Sequence, residues 1–146
     1  MIIHPDFKDF LQLLDQQKVK YLLVGAYAMA LLGYPRNTGD IDIWFENEPG
    51  NNDRLLNVLK DFGFGSLNIT SNDLSEPGIV IQLGREPVRI DIMNTISGVS
   101  FEEAYESHID FNVDGVPVTC ISLDYFKINK KATGRSKDIG DLDRFN

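Results

Sequence analysis

Tyr21-Leu22-Leu23-Val24-Gly25-Ala26 and, after a short spacer, Gly39-Asp40-Ile41-Asp42-Ile43-Trp44-Phe45 are the stretches whose reading decides the fold. The first is an apolar, β-prone run that stops at a glycine. It gives way to Tyr27-Ala28-Met29-Ala30-Leu31-Leu32, which reads as a short buried helix ending at Gly33. A strand, a glycine turn and a helix start make a seat for phosphate, because the first N–H groups of a helix have no partner within it. In the second stretch side chains alternate, so a strand there sends Asp40 and Asp42 to one face and Ile41, Ile43 and Phe45 to the other. An amphipathic surface strand alternates in the same way, so the acid pair alone decides nothing.

A third acid changes that weighing. Val88-Arg89-Ile90-Asp91-Ile92-Met93 sets Asp91 between β-branched residues, where a lone charge is costly unless it is paired or bound to metal. Three carboxylates on apolar strands predict a cation site. Magnesium takes carboxylate oxygens together with the oxygens of a substrate phosphate, which suits acids placed beside a phosphate turn.

These residues resemble the nucleotidyltransferases of the DNA polymerase β superfamily, especially its small stand-alone bacterial members. The family pattern is a hydrophobic residue and Gly, then Gly or Ser, a spacer, Asp-hydrophobic-Asp/Glu-hydrophobic, and a third Asp on a later strand. Gly25-Ala26, Asp40-Ile41-Asp42-Ile43 and Asp91 occupy those places. Ala26 departs from the pattern, offering its backbone N–H but no hydroxyl. The resemblance implies an α+β fold with a mixed central sheet flanked by helices. It also implies a magnesium site on Asp40, Asp42 and Asp91, with a nucleoside triphosphate held at Gly25 and Ala26 and assisted by Arg36 or Thr38.

A second resemblance lies near the C-terminus. Ile121-Ser122-Leu123-Asp124-Tyr125-Phe126-Lys127-Ile128-Asn129-Lys130-Lys131-Ala132-Thr133-Gly134-Arg135-Ser136-Lys137-Asp138-Ile139-Gly140-Asp141-Leu142 is similar to the closing segment of small nucleotidyltransferases related to abortive-infection and toxin–antitoxin systems. In that segment a lysine-bearing helix precedes a Gly-Arg-any-Lys-Asp turn and a helix opening with Asp-Leu. Lys130, Arg135, Lys137, Asp138 and Asp141 fall on the recurring positions, which implies that Lys130 and Arg135 contact the nucleotide and that a cognate toxin or antitoxin protein is a partner. By periodicity alone the basic cluster reads equally well as a solvated helix face. Neighbours on a helix point about 100° apart, so only one of Lys130 and Lys131 can face a pocket easily.

The chain has 146 residues, 42% of them apolar, enough for one core and one expected domain spanning residues 1–146. Fourteen basic against 22 acidic residues give a formal charge of −8, which argues against non-specific binding to nucleic acid or to an anionic membrane. One cysteine, Cys120, excludes an intramolecular disulfide and fits a reducing cytoplasm. The first residues lack the pattern of a signal peptide, and no apolar run approaches the roughly 20 residues of a spanning helix.

Residues 5–17 read as an amphipathic helix with Phe7, Phe10, Leu11 and Leu14 on one face. Residues 46–52 read as a polar break before a helix over 53–62, and residues 66–77 as a turn-rich flap with a short strand at 67–70. Residues 78–83 and 88–93 form an expected hairpin carrying Asp91. A short helix follows at 101–107. Residues 109–113 and 116–121 form a second hairpin around Asp114-Gly115, and Ser122 caps the last helix. About five strands result. His4 and His108 read as structural or surface residues. Trp44 and Tyr34 could stack on a base, but aromatic residues beside a sheet are more often core.

Three function classes follow. The first is a magnesium-dependent nucleotidyltransferase acting on an RNA or protein hydroxyl. The second is a catalytically weak relative that serves as a nucleotide- or partner-binding module. The third is a metal-dependent phosphohydrolase, which the Gly25 turn ahead of the acid pair disfavours.

Overall fold

The computed structural model of the chain describes residues 3–34, 38–85 and 87–134. Pro5 opens α1 (Pro5–Gln16), where its missing N–H costs nothing, and His4 caps the helix by accepting the Asp6 N–H on Nδ1. Phe7, Phe10, Leu11 and Leu14 are buried, as their spacing requires, and α1 packs on the sheet. Each such side chain stabilises the docking by roughly 1.5–3 kcal/mol before entropic costs.

The strands are β1 (Tyr21–Val24), β2 (Asp40–Phe45), β3 (Val80–Arg85), β4 (Val88–Met93), β5 (Ile109–Val113) and β6 (Val116–Cys120). They form one mixed sheet in the order β3-β4-β2-β1-β6-β5, six strands among the described residues where about five were expected. The hairpins β3–β4 and β5–β6 stand at its two edges, as the turn residues foretold. Asp114 and Gly115 have φ of 51° and 86°, the paired positive values of a tight hairpin turn. The centre is less local: β2 pairs antiparallel with β1 and parallel with β4, and β1 pairs parallel with β6.

Ile41, Ile43 and Phe45 are fully buried on one face with Tyr21, Leu23, Ile90 and Ile92. The Tyr21 hydroxyl accepts the Thr119 N–H at 3.2 Å, and burial pushes its pKa up to about 12. The opposite face of the same strands carries Asp40, Asp42, Arg89 and Asp91.

Two expectations need correction. The helix expected over 53–62 begins earlier, as α3 (Pro49–Leu59), because the Glu48 carboxylate caps the N–H groups of Gly50 and Asn51 and Pro49 takes the first helical position. Asn51 is buried and bonds Lys20 O and Glu46 O through Nδ2 while accepting the Lys20 N–H, which explains a polar residue there. The second correction concerns residues 66–77, which hold no strand. A π turn (Lys60–Phe64) and a 3₁₀ turn (Gly65–Leu67) lead to α4 (Ser71–Ser75), which carries a capping box between Thr70 and Asp73. Leu74 is fully buried, and Asn94 fastens the segment by donating to Leu74 O and Glu76 O and accepting from Gly78 N. It is anchored, not a flap.

α2 (Gly25–Leu31), α5 (Phe101–Glu106) and α6 (Leu123–Thr133) complete the described helices, and Ser122 caps α6 at the Tyr125 N–H. Among the described residues no helix is long and apolar enough to cross a membrane.

Candidate active site

β2 and β4 run parallel with Asp40 beside Arg89 and Asp42 beside Asp91, so the period of two places all four on one face. One carboxylate oxygen from each of Asp40, Asp42 and Asp91 lies within 4.8 Å of the others. The three acids read from the sequence are therefore brought together. Asp91 is 5% exposed, whereas Asp40 and Asp42 are half-buried.

Such crowding has an electrostatic cost. Burial first, then the charges of Asp40 and Asp91, push the Asp42 carboxyl up to about 7, while Lys130 and Arg89 pull it down. Three hard oxygen donors whose charges oppose one another are a donor set that a divalent cation satisfies, so the residues present fit magnesium.

Gly25 follows directly on Val24, which pairs with Asp42 across β1 and β2. Its φ is +72°, and a Cβ built there would run into the Asp42 carboxylate. Glycine is thus required for two reasons at this position: the left-handed backbone and the close passage of the turn over an acid. The N-terminus of α2 has no side-chain cap, which leaves its first turn without a side-chain acceptor beside the acids. Ala26 is the second residue of that turn and is half-buried. Tyr27 next to it packs edge-to-face on Phe7, and burial followed by the charge of Asp40 raises its hydroxyl pKa.

Thr38 sits at the site, with its hydroxyl engaged on Asp40. Its Oγ1 lies 2.7 Å from Asp40 Oδ1 and accepts the Asp40 N–H at 3.3 Å, which fixes the carboxylate's rotamer. Arg36 and Arg135 lie outside the described residues, as do Lys137, Asp138 and Asp141.

Lys130 is 8% exposed on α6, whereas Lys131 is exposed and Lys127 half-buried, so one lysine of the cluster turns inward. Its charge is felt at Asp42, and its Nζ lies 5.3 Å from the Phe126 ring centroid. α6 is seated by the turn after β4. Asn129 Nδ2 donates to Ser97 O at 3.0 Å, and Gly98, at φ +76°, passes so near that a Cβ would lie 2.5 Å from that of Ala132.

Sequence reasoning missed Arg89 as a site residue. Its guanidinium donates Nε–H to Asp91 Oδ1 at 2.9 Å and Nη2–H to Asp91 Oδ2 at 3.1 Å and to Asp40 Oδ2 at 3.0 Å. The alternation that placed Asp91 on the acid face places Arg89 there too, and that was the available signal. Trp44 is core, 1% exposed and edge-to-face with Phe101 at 5.1 Å, and its Nε1 finds no partner among the described residues.

Solved structures that share the fold include the following two. The candidate nucleotidyltransferase TM1012 from Thermotoga maritima superposes with a TM-score of 0.64 at 16% identity, covering 99% of this chain and 94% of its own. The lincosamide antibiotic adenylyltransferase LnuA, solved with lincomycin bound, gives 0.59 at 16% identity, covering 97% of this chain and 95% of its own. No curated protein matches the chain in sequence. The family profile described as nucleotidyl transferase of unknown function (DUF2204) matches residues 4–146. With nearly the whole length inside that match, and the acid triad gathered under a glycine turn, the chain belongs to the DUF2204 family of nucleotidyl transferases.

Proposed function

We propose that the protein moves a nucleoside monophosphate from a nucleoside triphosphate to a hydroxyl of RNA or protein, in a magnesium-dependent reaction of the DNA polymerase β type. The observation that carries this reading is the convergence of Asp40, Asp42 and Asp91 within 4.8 Å beside the Gly25 turn. The acceptor oxygen attacks the α-phosphorus, the bond to the bridging oxygen breaks, and pyrophosphate leaves. Asp40, Asp42 and Asp91 would hold the metal, which when bound lowers the acceptor's pKa and offsets charge on the triphosphate. Asp91 takes the acceptor's proton, Lys130 faces the phosphates, and the Gly25 and Ala26 N–H groups hold the outer ones. Thr38 keeps Asp40 aimed. The formal charge of −8 weights the acceptor toward protein over RNA. A place in a toxin–antitoxin or phage-defence pair is supported by the closing segment at 121–142.

Magnesium and a nucleoside triphosphate together are expected to raise the melting temperature more than either alone. At a hundred times its dissociation constant the ligand adds roughly 2.7 kcal/mol. Calorimetric scans checking every common triphosphate with magnesium and finding no movement would refute the reading. Release of pyrophosphate, and not orthophosphate, separates transfer from hydrolysis.

Lys130→Ala is expected to weaken triphosphate binding about tenfold, roughly 1.4 kcal/mol, while Lys131→Ala stays within about twofold of wild type. Isothermal titration checks this, since Lys130 is the one buried lysine of α6 and its charge is felt at Asp42. Equal losses would return the cluster to a solvated face.

A further inference from the structure

Among the described residues of the cluster, Arg89 is the charged group that the proposed chemistry leaves without a task. It takes both oxygens of Asp91 in a fork and one oxygen of Asp40, three charge-assisted bonds between 2.9 and 3.1 Å. Fork-on pairing of this kind fixes orientation as well as charge, and lysine cannot reproduce it. The surroundings favour the arrangement. Arg89 N donates to Gly39 O at 3.1 Å, which locks β4 beside the start of β2, and the residue across from Arg89 on β3 is Gly84, which puts no side chain beside it. The Arg89 side chain is 27% exposed and that of Asp91 8%, so the guanidinium lies at the mouth of the cluster and the acid behind it.

We propose that Arg89 is an internal counter-cation that holds Asp40 and Asp91 in place in the metal-free protein and competes with a divalent cation for their oxygens. The inference rests on the acids being a metal site, as the proposed function requires. Its consequence is directional. A cation arriving alone must displace or share with a guanidinium already bound, so affinity for the cation alone is held low. A cation arriving with a triphosphate brings anionic oxygens to which the guanidinium can turn. Metal and nucleotide then load together onto acids that Arg89 has kept in position through Asp40 and Asp91 until that moment, without itself joining the transfer.

Manganese titration of the nucleotide-free protein, followed by electron paramagnetic resonance, tests this. Arg89→Gln is expected to bind Mn²⁺ about tenfold more tightly than wild type, because a unit positive charge a few ångströms from the ion is removed. Arg89→Lys, which keeps the charge and loses the fork, should stay within about threefold of wild type. Asp42→Asn should lose binding and serves as the control for the site itself. If Asp42→Asn loses Mn²⁺ binding but Arg89→Gln binds no more tightly than wild type, the role given to Arg89 is overturned and the metal site stands. If neither wild type nor Arg89→Gln binds Mn²⁺ more tightly than Asp42→Asn, the metal site falls and the role of Arg89 with it. A second measurement needs no folded variant: the ¹⁵N signal of Arg89 Nε in the wild-type protein should shift and its proton exchange faster as Mg²⁺ is added. A signal unmoved at saturating Mg²⁺ would overturn the proposal.

Discussion

Asp91→Asn is expected to cut nucleotidyl transfer on the order of a thousandfold while leaving triphosphate affinity within a few-fold of wild type. Asparagine is nearly isosteric, so packing around a residue that is 5% exposed survives. It cannot accept the acceptor's proton, the task proposed for Asp91 and for no other acid of the site. The loss therefore falls on turnover. Asp42→Asn differs, because Asp42 feels the charges of both other acids and lies against the Gly25 turn. It should lose metal-dependent triphosphate binding as well as transfer, and the metal-free protein should become more stable. The sign follows from proton counting. A carboxyl moved from its ordinary 3.8 to about 7 binds more protons folded than unfolded across that interval. Stability of the metal-free wild type thus falls as pH rises from about 4 to about 7, by up to about 4 kcal/mol, and Asp42→Asn removes that decline. Label transfer, titration of the triphosphate with magnesium, and denaturant melts at pH 4 and pH 7.5 are the measurements. Wild-type transfer by Asp91→Asn would remove Asp91 from the site, and a pH-independent wild type would contradict the crowding at Asp42.

Gly25→Ala is the smallest change with an expected effect of similar size. A methyl group at Gly25 collides with the Asp42 carboxylate and must also adopt φ +72°, which costs an L-residue roughly 1–2 kcal/mol. The side chain of Asp42 is a movable neighbour, so the strain is relieved by turning that carboxylate out of the cluster while β1 and α2 stay in place. Activity should fall by at least about a hundredfold, more than stability predicts, because misplacement of a reacting group by about 1 Å is enough for that. Gly33→Ala is the control: its φ is +103° but no atom lies within 4 Å of the added methyl group, so it should lose stability without losing specific activity. Transfer per folded molecule, with circular dichroism to count folded molecules, separates the two. Equal specific activity in both variants would mean that the Gly25 turn does not steer Asp42.

What could be read from residues alone follows the range of the signal. The hairpins carrying Asp91 and Asp114 were legible because turn chemistry and alternation act within a few positions. So was the shared face of Asp40 and Asp42. The start of α3 at Pro49 was hidden because glutamate is an uncommon cap, and the polar run 46–52 looks like a loop until its hydrogen bonds to Lys20 are seen. The turns and α4 at residues 60–75 are irregular, tied at Leu74 and Glu76 by Asn94 from just past the end of β4, and no local period reports that tie. Arg89 was passed over for a related reason. Its importance depends on Asp40 standing beside it, and the neighbour relation of β2 and β4 is set by the whole sheet. For the lysine cluster, helix geometry said only that one of Lys130 and Lys131 could face inward, and the resemblance of the closing segment pointed to Lys130.

The parallel contact of β1 with β6 has a kinetic meaning. Leu23 waits for Cys120 and Ile121, so one side of β1 stays an open edge until nearly the whole described chain is available. On a ribosome, the antiparallel β1–β2 pair and the β2–β4 pair can form as soon as Met93 has emerged, gathering Asp40, Asp42 and Asp91 before α6 exists. The nascent chain then passes through a stage with its acids assembled, its lysine helix absent and one edge of an apolar strand unpaired, the stage at which edge-to-edge association is most favoured. Late arrival of β6 ends that exposure, and the helix bearing Lys130 follows two residues behind it.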